Sequence, residues 1–358
     1  MDRGGAPFPA ALAAVADRAE AKVSVLLDAQ RAAWTPIDER LAAPIDALAA
    51  LVEAGGKRIR PALCAVAYAG VGGAGGIDAD EVVAAGAALE LLHTFALVHD
   101  DVMDGSETRR GVDAVHRGFV RRHEEAQWRG ESRRFGEGMA ILVGDIAYVL
   151  ADVLLRDAPQ AVHLLWDDLR LELCIGQSLD LIGAAEATFE LALAQRIVSY
   201  KSAKYTVERP LHLGATLAGA GADATAALSA VGLPLGQAFQ LRDDELGVFG
   251  DEVVTGKPVG DDLREGKPTP MLAMAHERVS RVPGAERVLA MVGTRDLGER
   301  EIKEIQDVLV DTGALAAVED EIERLVTEAI DAIDRAPLDG NAATLLADLA
   351  RYIAWRDH

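Results

Sequence analysis

An apolar helical run that ends in three carboxylates, LLHTFALVHDDVMD from Leu91 to Asp104, constrains this chain more than any other stretch. Residues four apart stack on one helix face, so Asp100 and Asp104 project side by side while Asp101 sits about 100° round the axis. Like charges at that spacing repel, and without a cation between them they push protons onto the acids. A solvated helix end would also carry such a triplet. Mg²⁺ is the natural cation, because it takes hard oxygen ligands and binds through one or two carboxylates plus substrate phosphate. Arg109 and Arg110 follow at once, and guanidinium grips phosphate oxygens in pairs. A second acidic pair, Asp243 and Asp244 in GQAFQLRDDELGVFGD, again closes an apolar stretch. Two such clusters on separate helices can face one another across a cavity.

Composition narrows the class. Half of the 358 residues are hydrophobic and only 4% are aromatic, with alanine and leucine dominant, which favours helix over sheet. The length fits one large helical domain spanning 1–358, with N-terminal helices over 1–50. The formal charge of −22 repels nucleic acid and anionic lipid, although local lysines, arginines and a bound metal can reverse the sign inside one cleft. Cys64 and Cys174 lie in apolar helical patterns without zinc-like spacing and read as buried, reduced thiols. The N-terminus lacks the basic and apolar regions of a signal peptide, and no uninterrupted apolar run reaches the length of a membrane span. The expectation is a cytoplasmic protein that is neither membrane-bound nor partnered with nucleic acid.

Along the chain, two helices are expected between Ala10 and Leu51, separated near Trp34 to Pro36. GGKRIRP then places Lys57, Arg58 and Arg60 at a helix entrance, where backbone N–H groups also favour anions, though an ordinary surface loop could read the same way. His93 lies seven residues before Asp100, near the same face, and is either a core histidine or part of the charged end. The charged segment 120–138 reads as a solvated excursion or lid. Lys201 and Lys204 ride an amphipathic helix that is expected to kink near Pro210. The segment DEVVTGKPVGDDLREGKPTPML sets Lys257, Asp261, Asp262, Arg264 and Lys267 among glycines as a plausible phosphate and metal clamp, and from Met271 onward the chain reads as structural helix.

Taken together, GGKRIRP, LLHTFALVHDDVMDGSETRRG, YKSAKYT, FQLRDD and TGKPVGDDLREGKPT, in this order, resemble the trans-isoprenyl diphosphate synthases, or polyprenyl synthetases, most of all those that make geranylgeranyl diphosphate. The resemblance runs from about Gly55 to Leu272. It implies an all-α fold, a single antiparallel bundle around a deep central cavity with both aspartate motifs at its mouth, assembled as a homodimer. It also implies a chain-elongating prenyl transfer in which isopentenyl diphosphate is added to dimethylallyl, geranyl or farnesyl diphosphate with Mg²⁺, three ions per site.

By position the resemblance makes Asp100, Asp104 and Asp243 the metal ligands, with Asp101 and Asp244 in support. Arg109, Lys201, Ser202, Gln240, Lys257 and Lys267 correspond to positions that hold the allylic diphosphate. Lys57, Arg60, His93 and Arg110 correspond to the isopentenyl diphosphate pocket. Asp100, Asp101, Asp104, Arg109, Lys201, Asp243 and Asp244 are therefore the expected catalytic set.

The second motif departs from the pattern, with Gly247 where many members carry a third aspartate. Asp251 lies seven residues beyond Asp244, about 10 Å along a straight helix, too far to replace it. Product length should be set by what blocks the cavity below the first motif. Phe95, about one turn deeper than Asp100, and its small neighbour Ala96 are the candidates, which by analogy favours geranylgeranyl over farnesyl diphosphate. A class I terpene cyclase would share the first motif but have no use for GGKRIRP and GKPTP. A non-catalytic subunit would tolerate losses in the first motif that this chain does not show.

Overall fold

The computed structural model describes residues 8–250, 259–294 and 296–355. The chain is all-α apart from one small hairpin, as expected, and its contacts group it into two compact units where the sequence reads as one domain.

One unit comprises residues 10–65 and 74–159. It holds α1 (Ala10–Trp34), α2 (Ala42–Glu53), the start of α3 (Ile59–Gly70), α4 (Asp80–Asp104), α5 (Val115–Glu125) and α6 (Ser132–Leu154), with the hairpin β1 (Thr108–Arg109) and β2 (Val112–Asp113) after α4. Helix α4 is its axis, packed on α1 and α6. Val83, Ala87, Leu89, Leu91, Leu92 and Val98 are buried on several sides of it, so α4 has no broad solvent face. By length and mean hydropathy α4 is long and apolar enough to cross a membrane, although Glu90 interrupts its apolar run. Most of that window is buried within the protein, the mark of a core helix.

The other unit contains the rest of the chain, 160–358 with 1–9 and 66–73. It holds α7 (Gln160–Glu186), α8 (Leu191–Ile197), a π-helical segment (Val198–Glu208), α9 (Arg209–Leu217), α10 (Ala222–Phe249), α11 (Asp261–Glu265), α12 (Pro270–Glu277), α13 (Ala285–Leu289), α14 (Glu299–Asp311), α15 (Ala314–Ile333) and α16 (Gly340–Trp355). Its axis is α10, which packs on the π-helical segment, α9, α15 and α16. Leu241, Val248, Leu263, Met271, Ile305 and Ile322 belong to its core.

Three local expectations change. The segment 120–138 is not a lid: α5 and α6 run through most of it and are joined by residues 126–131. Its charges conceal a ring cluster in which His123 lies 5.3 Å from Phe135, Trp128 5.3 Å from Phe135 and Phe119 6.3 Å from Phe135, and this buries the inner face. Cys64 is buried, which pushes its thiol up to about 12, but Cys174 is exposed because it falls on the outer side of α7. At Pro210 the helix changes from π to α hydrogen bonding, and the proline occupies the first turn of α9, where its missing N–H costs least.

Candidate active site

The first acidic motif closes α4. Gly105, at φ +72°, ends the helix with its N–H donating to the Asp101 carbonyl. The chain then turns back through Arg110 and Gly111, at φ +54° and +76°, the paired left-handed conformation that a two-residue hairpin requires. This turn folds Arg109 back onto the helix end, where its Nε donates to Asp101 Oδ1 at 2.8 Å and its Nη2 makes a shorter contact with the same oxygen. Both partners are buried. Burial opposes the charge of Arg109, yet Asp101, then Asp100 and Asp104, outweigh it and hold the guanidinium above its usual range. Asp100 and Asp104 remain half-exposed on the face that four-residue spacing predicts.

The GGKRIRP loop is built differently from its expected basic trio. Arg58 sits at φ +47°, and this left-handed backbone turns its side chain inward. Its guanidinium pairs with buried Glu90, donates to Glu20 Oε2 at 2.7 Å and to the Val52 carbonyl at 2.6 Å, and so is not offered to a ligand. Lys57 and Arg60 are the other cations of the loop. Arg110 approaches it from the hairpin, donating to the Leu51 carbonyl at 3.1 Å. A side chain at Gly56 would meet Arg110 Nη2 at 2.7 Å, so the glycine permits the approach. Burial, with Arg58 near, lowers Arg110 to about 10. His93 is held well below its usual pKa by burial and then by Arg60, Arg110, Arg58 and Arg109, which makes it a neutral member of a strongly positive pocket. The structure thus brings together Arg60, His93 and Arg110.

The second acidic motif closes α10. Asp244 is buried and accepts from Gln240 Nε2 at 2.6 Å, while Asp243 is half-exposed. Burial, then Asp262, with Asp243 and Asp180 adding, raises Asp244 to about 8. Asp180, at one face of α7, also takes the ammonium of Lys201. Ser202 follows Lys201 in the π-helical segment and is half-exposed. Lys267 lies 2.5 Å from Glu265 and 3.5 Å from Asp262. The adjoining Thr269 caps α12 by accepting from the Leu272 N–H at 3.3 Å, with Pro270 in the first turn, so GKPTP is a helix start. Lys257 and Asp251 lie outside the described residues.

Both motifs put carboxylates at the C-terminal end of a buried helix, where the dipole and burial each oppose negative charge. Neither helix has a basic residue in its last turn. Hard oxygen donors in such an environment fit a divalent cation that would relieve both penalties. Sequence reasoning left one member out of the site. Asp180 reads as a lone polar insertion in an apolar helical pattern, and its partner Lys201 is brought to it only by the fold. Asp262, expected in a phosphate and metal clamp, lies in α11 and acts on the charge of Asp244. Phe95 packs its ring on Tyr148 at 4.8 Å and on His99 at 4.6 Å, with half-buried Ala96 beside it.

The model of the family described as Polyprenyl synthetase matches residues 43–309. The chain is 32% identical over 320 residues to a geranylfarnesyl diphosphate synthase of Aeropyrum pernix, covering 86% of this chain and 92% of that protein. It is 32% identical over 315 residues to a geranylgeranyl diphosphate synthase of Methanosarcina mazei, covering 86% and 88%. In structure it is similar to the geranylgeranyl pyrophosphate synthase of Corynebacterium glutamicum, complexed with isoprenyl diphosphate and magnesium, with a TM-score of 0.90 and 34% identity over 97% of this chain and 99% of that one.

Proposed function

This chain belongs to the polyprenyl synthetase family, and we propose that it makes geranylgeranyl diphosphate by adding isopentenyl diphosphate to a shorter allylic diphosphate. It is a chain-elongating trans-prenyltransferase that binds isoprenyl diphosphates and depends on Mg²⁺. The observation that carries the reading is the pair of buried helices, α4 and α10, each ending in carboxylates with no basic side chain in the last turn.

In this reading Asp100, Asp104 and Asp243 would hold Mg²⁺, three ions in all, which when bound would supply Lewis acidity toward the leaving diphosphate. Asp101, fixed by Arg109, keeps the end of α4 in shape for Asp100 and Asp104. Asp244, linked to Gln240, does the same for Asp243. Lys201, Ser202, Gln240, Lys257 and Lys267 hold the allylic diphosphate, and with Arg109 they stabilise the charge that grows on it as the C–O bond breaks. Lys57, Arg60, His93 and Arg110 hold isopentenyl diphosphate, with His93 acting as a neutral donor because the surrounding arginines keep it unprotonated. The alkene of isopentenyl diphosphate then attacks the allylic cation, and the released diphosphate takes the proton that is lost. Phe95, with Ala96, limits the length of the growing chain.

The active form is a homodimer. Ile141, Leu142 and Val149 on α6 are 45–59% exposed, and Leu164, Leu171, Ile175 and Ile182 on α7 are 46–61% exposed, apolar side chains that a second copy would cover.

Purified protein given Mg²⁺, isopentenyl diphosphate and dimethylallyl, geranyl or farnesyl diphosphate in turn should yield a twenty-carbon prenyl diphosphate. Hydrocarbon product would mean a cyclase, and silence until a second chain is added would mean a subunit.

A further inference from the structure

The segment Val198–Glu208 is π-helical over eleven residues. Hydrogen bonds of the i→i+5 type are rare and mostly confined to single turns, and they recur at functional sites. Nothing in VSYKSAKYTVE forbids an α-helix, since it contains neither proline nor glycine. The register must therefore be imposed from outside the segment.

Three glycines on its neighbours touch its main chain. A Cβ at Gly176 of α7 would meet Tyr200 C at 2.6 Å and Lys201 Cα at 2.7 Å. At Gly236 of α10 it would meet both Cα and O of Ala203 at 2.6 Å, and at Gly232 it would meet Glu208 Cα at 2.7 Å. Gly232 and Gly236 are four apart and share one face of α10. Every one of these contacts is with backbone, so no side-chain rotation relieves it. Side chains then pin the segment and the start of α9 to α7: Lys201 to Asp180, Lys204 to Glu172 at 2.6 Å and Arg209 to Glu172 at 2.7 Å.

We infer that Gly176, Gly232 and Gly236 are positioning residues that form a socket for the wide π-helical segment, and that this socket sets the direction in which Lys201 and Ser202 meet the allylic diphosphate. The inference rests on the reading of Lys201 and Ser202 given above. A methyl group in the socket favours the narrower α-helix, which changes the hydrogen-bonding register and rotates Lys201 away from Asp180.

The test is Gly236→Ala, with KM measured for each substrate and the register of Val198–Glu208 read from a crystal structure. The expected result is an α-helical segment and a KM for the allylic diphosphate raised on the order of tenfold or more, because small misplacements of positioning groups are costly. KM for isopentenyl diphosphate should stay within about twofold, since uniform loss of folded protein moves neither constant. A folded Gly236→Ala protein that keeps the π register and its allylic KM overturns the inference. If Gly236→Ala does not fold, deletion of Ala203 in the same chain removes one residue from the wide turns and should restore folding with the allylic KM still raised; no recovery overturns the inference too. Lys201→Ala separates the two layers. An unchanged allylic KM there removes the role given to Lys201, while the register of Gly236→Ala still decides the socket.

Discussion

Asp262 Oδ2 lies 2.5 Å from the point where a Cβ on Gly247 would sit, so the carboxylate of the α11 turn fills the space beside the second motif that a side chain at 247 would take. Asp262 stands fifteen positions further along the chain. Asp262 is also the first-ranked charge acting on Asp244.

Gly247→Ala should displace the Asp262 carboxylate, which can swing aside, and leave the fold intact. Supporting groups around a metal typically contribute about 10–100-fold in affinity or activity, and Mg²⁺ titration of the variant should show a loss in that range. Asp262→Asn should match it. Wild-type Mg²⁺ dependence in both variants would remove Asp262 from the site.

Glu90→Ala leaves Arg58 as a buried cation with only Glu20 and a carbonyl for company. Removing one partner of a buried pair costs about 3–5 kcal/mol, and urea unfolding should register a loss of that order. A change under about 1 kcal/mol would mean that water reaches Arg58, as at an exposed pair.

Asp244 gives the metal-free protein a distinctive pH dependence. Its folded pKa, about 8, stands above the ordinary carboxylate value, so the folded state binds more protons than the unfolded one between those two points. The stability it contributes is complete below the ordinary pKa and is lost as pH rises through about 8. The thermal midpoint without divalent metal should therefore fall from pH 5 to pH 9, and Asp244→Asn should flatten that slope. An equal slope in both proteins would assign the effect to other groups.

Phe95→Ala opens the space beside Tyr148, whose ring lies 4.8 Å away. Products should lengthen, by about one isoprene unit with Tyr148 in place and further in the double variant with Tyr148→Ala, since each ring removed is a large apolar volume. Mass spectrometry of the prenyl diphosphates reads the outcome directly, and an unchanged distribution would place the limit on other side chains.

The sequence by itself determined the helical class and the two carboxylate-ended axes. Spacing along a helix is a local property: it put Asp100 and Asp104 on one face without reference to the rest of the chain. Tertiary structure decided which charges are buried and against what. Arg58 and Lys57 are neighbours in one motif, yet Arg58 turns inward because Glu20 and Glu90, far away in sequence, wait beneath it. The charged stretch 120–138 became helix because its scattered rings meet only in the folded chain, and Cys174 lies outside because the inner side of α7 belongs to other residues. The π register of Val198–Glu208 cannot be read from the segment's own residues, since its backbone packs on glycines of two other helices. Periodicity reports where a side chain points relative to its own axis; burial and pairing depend on partners that only folding brings near.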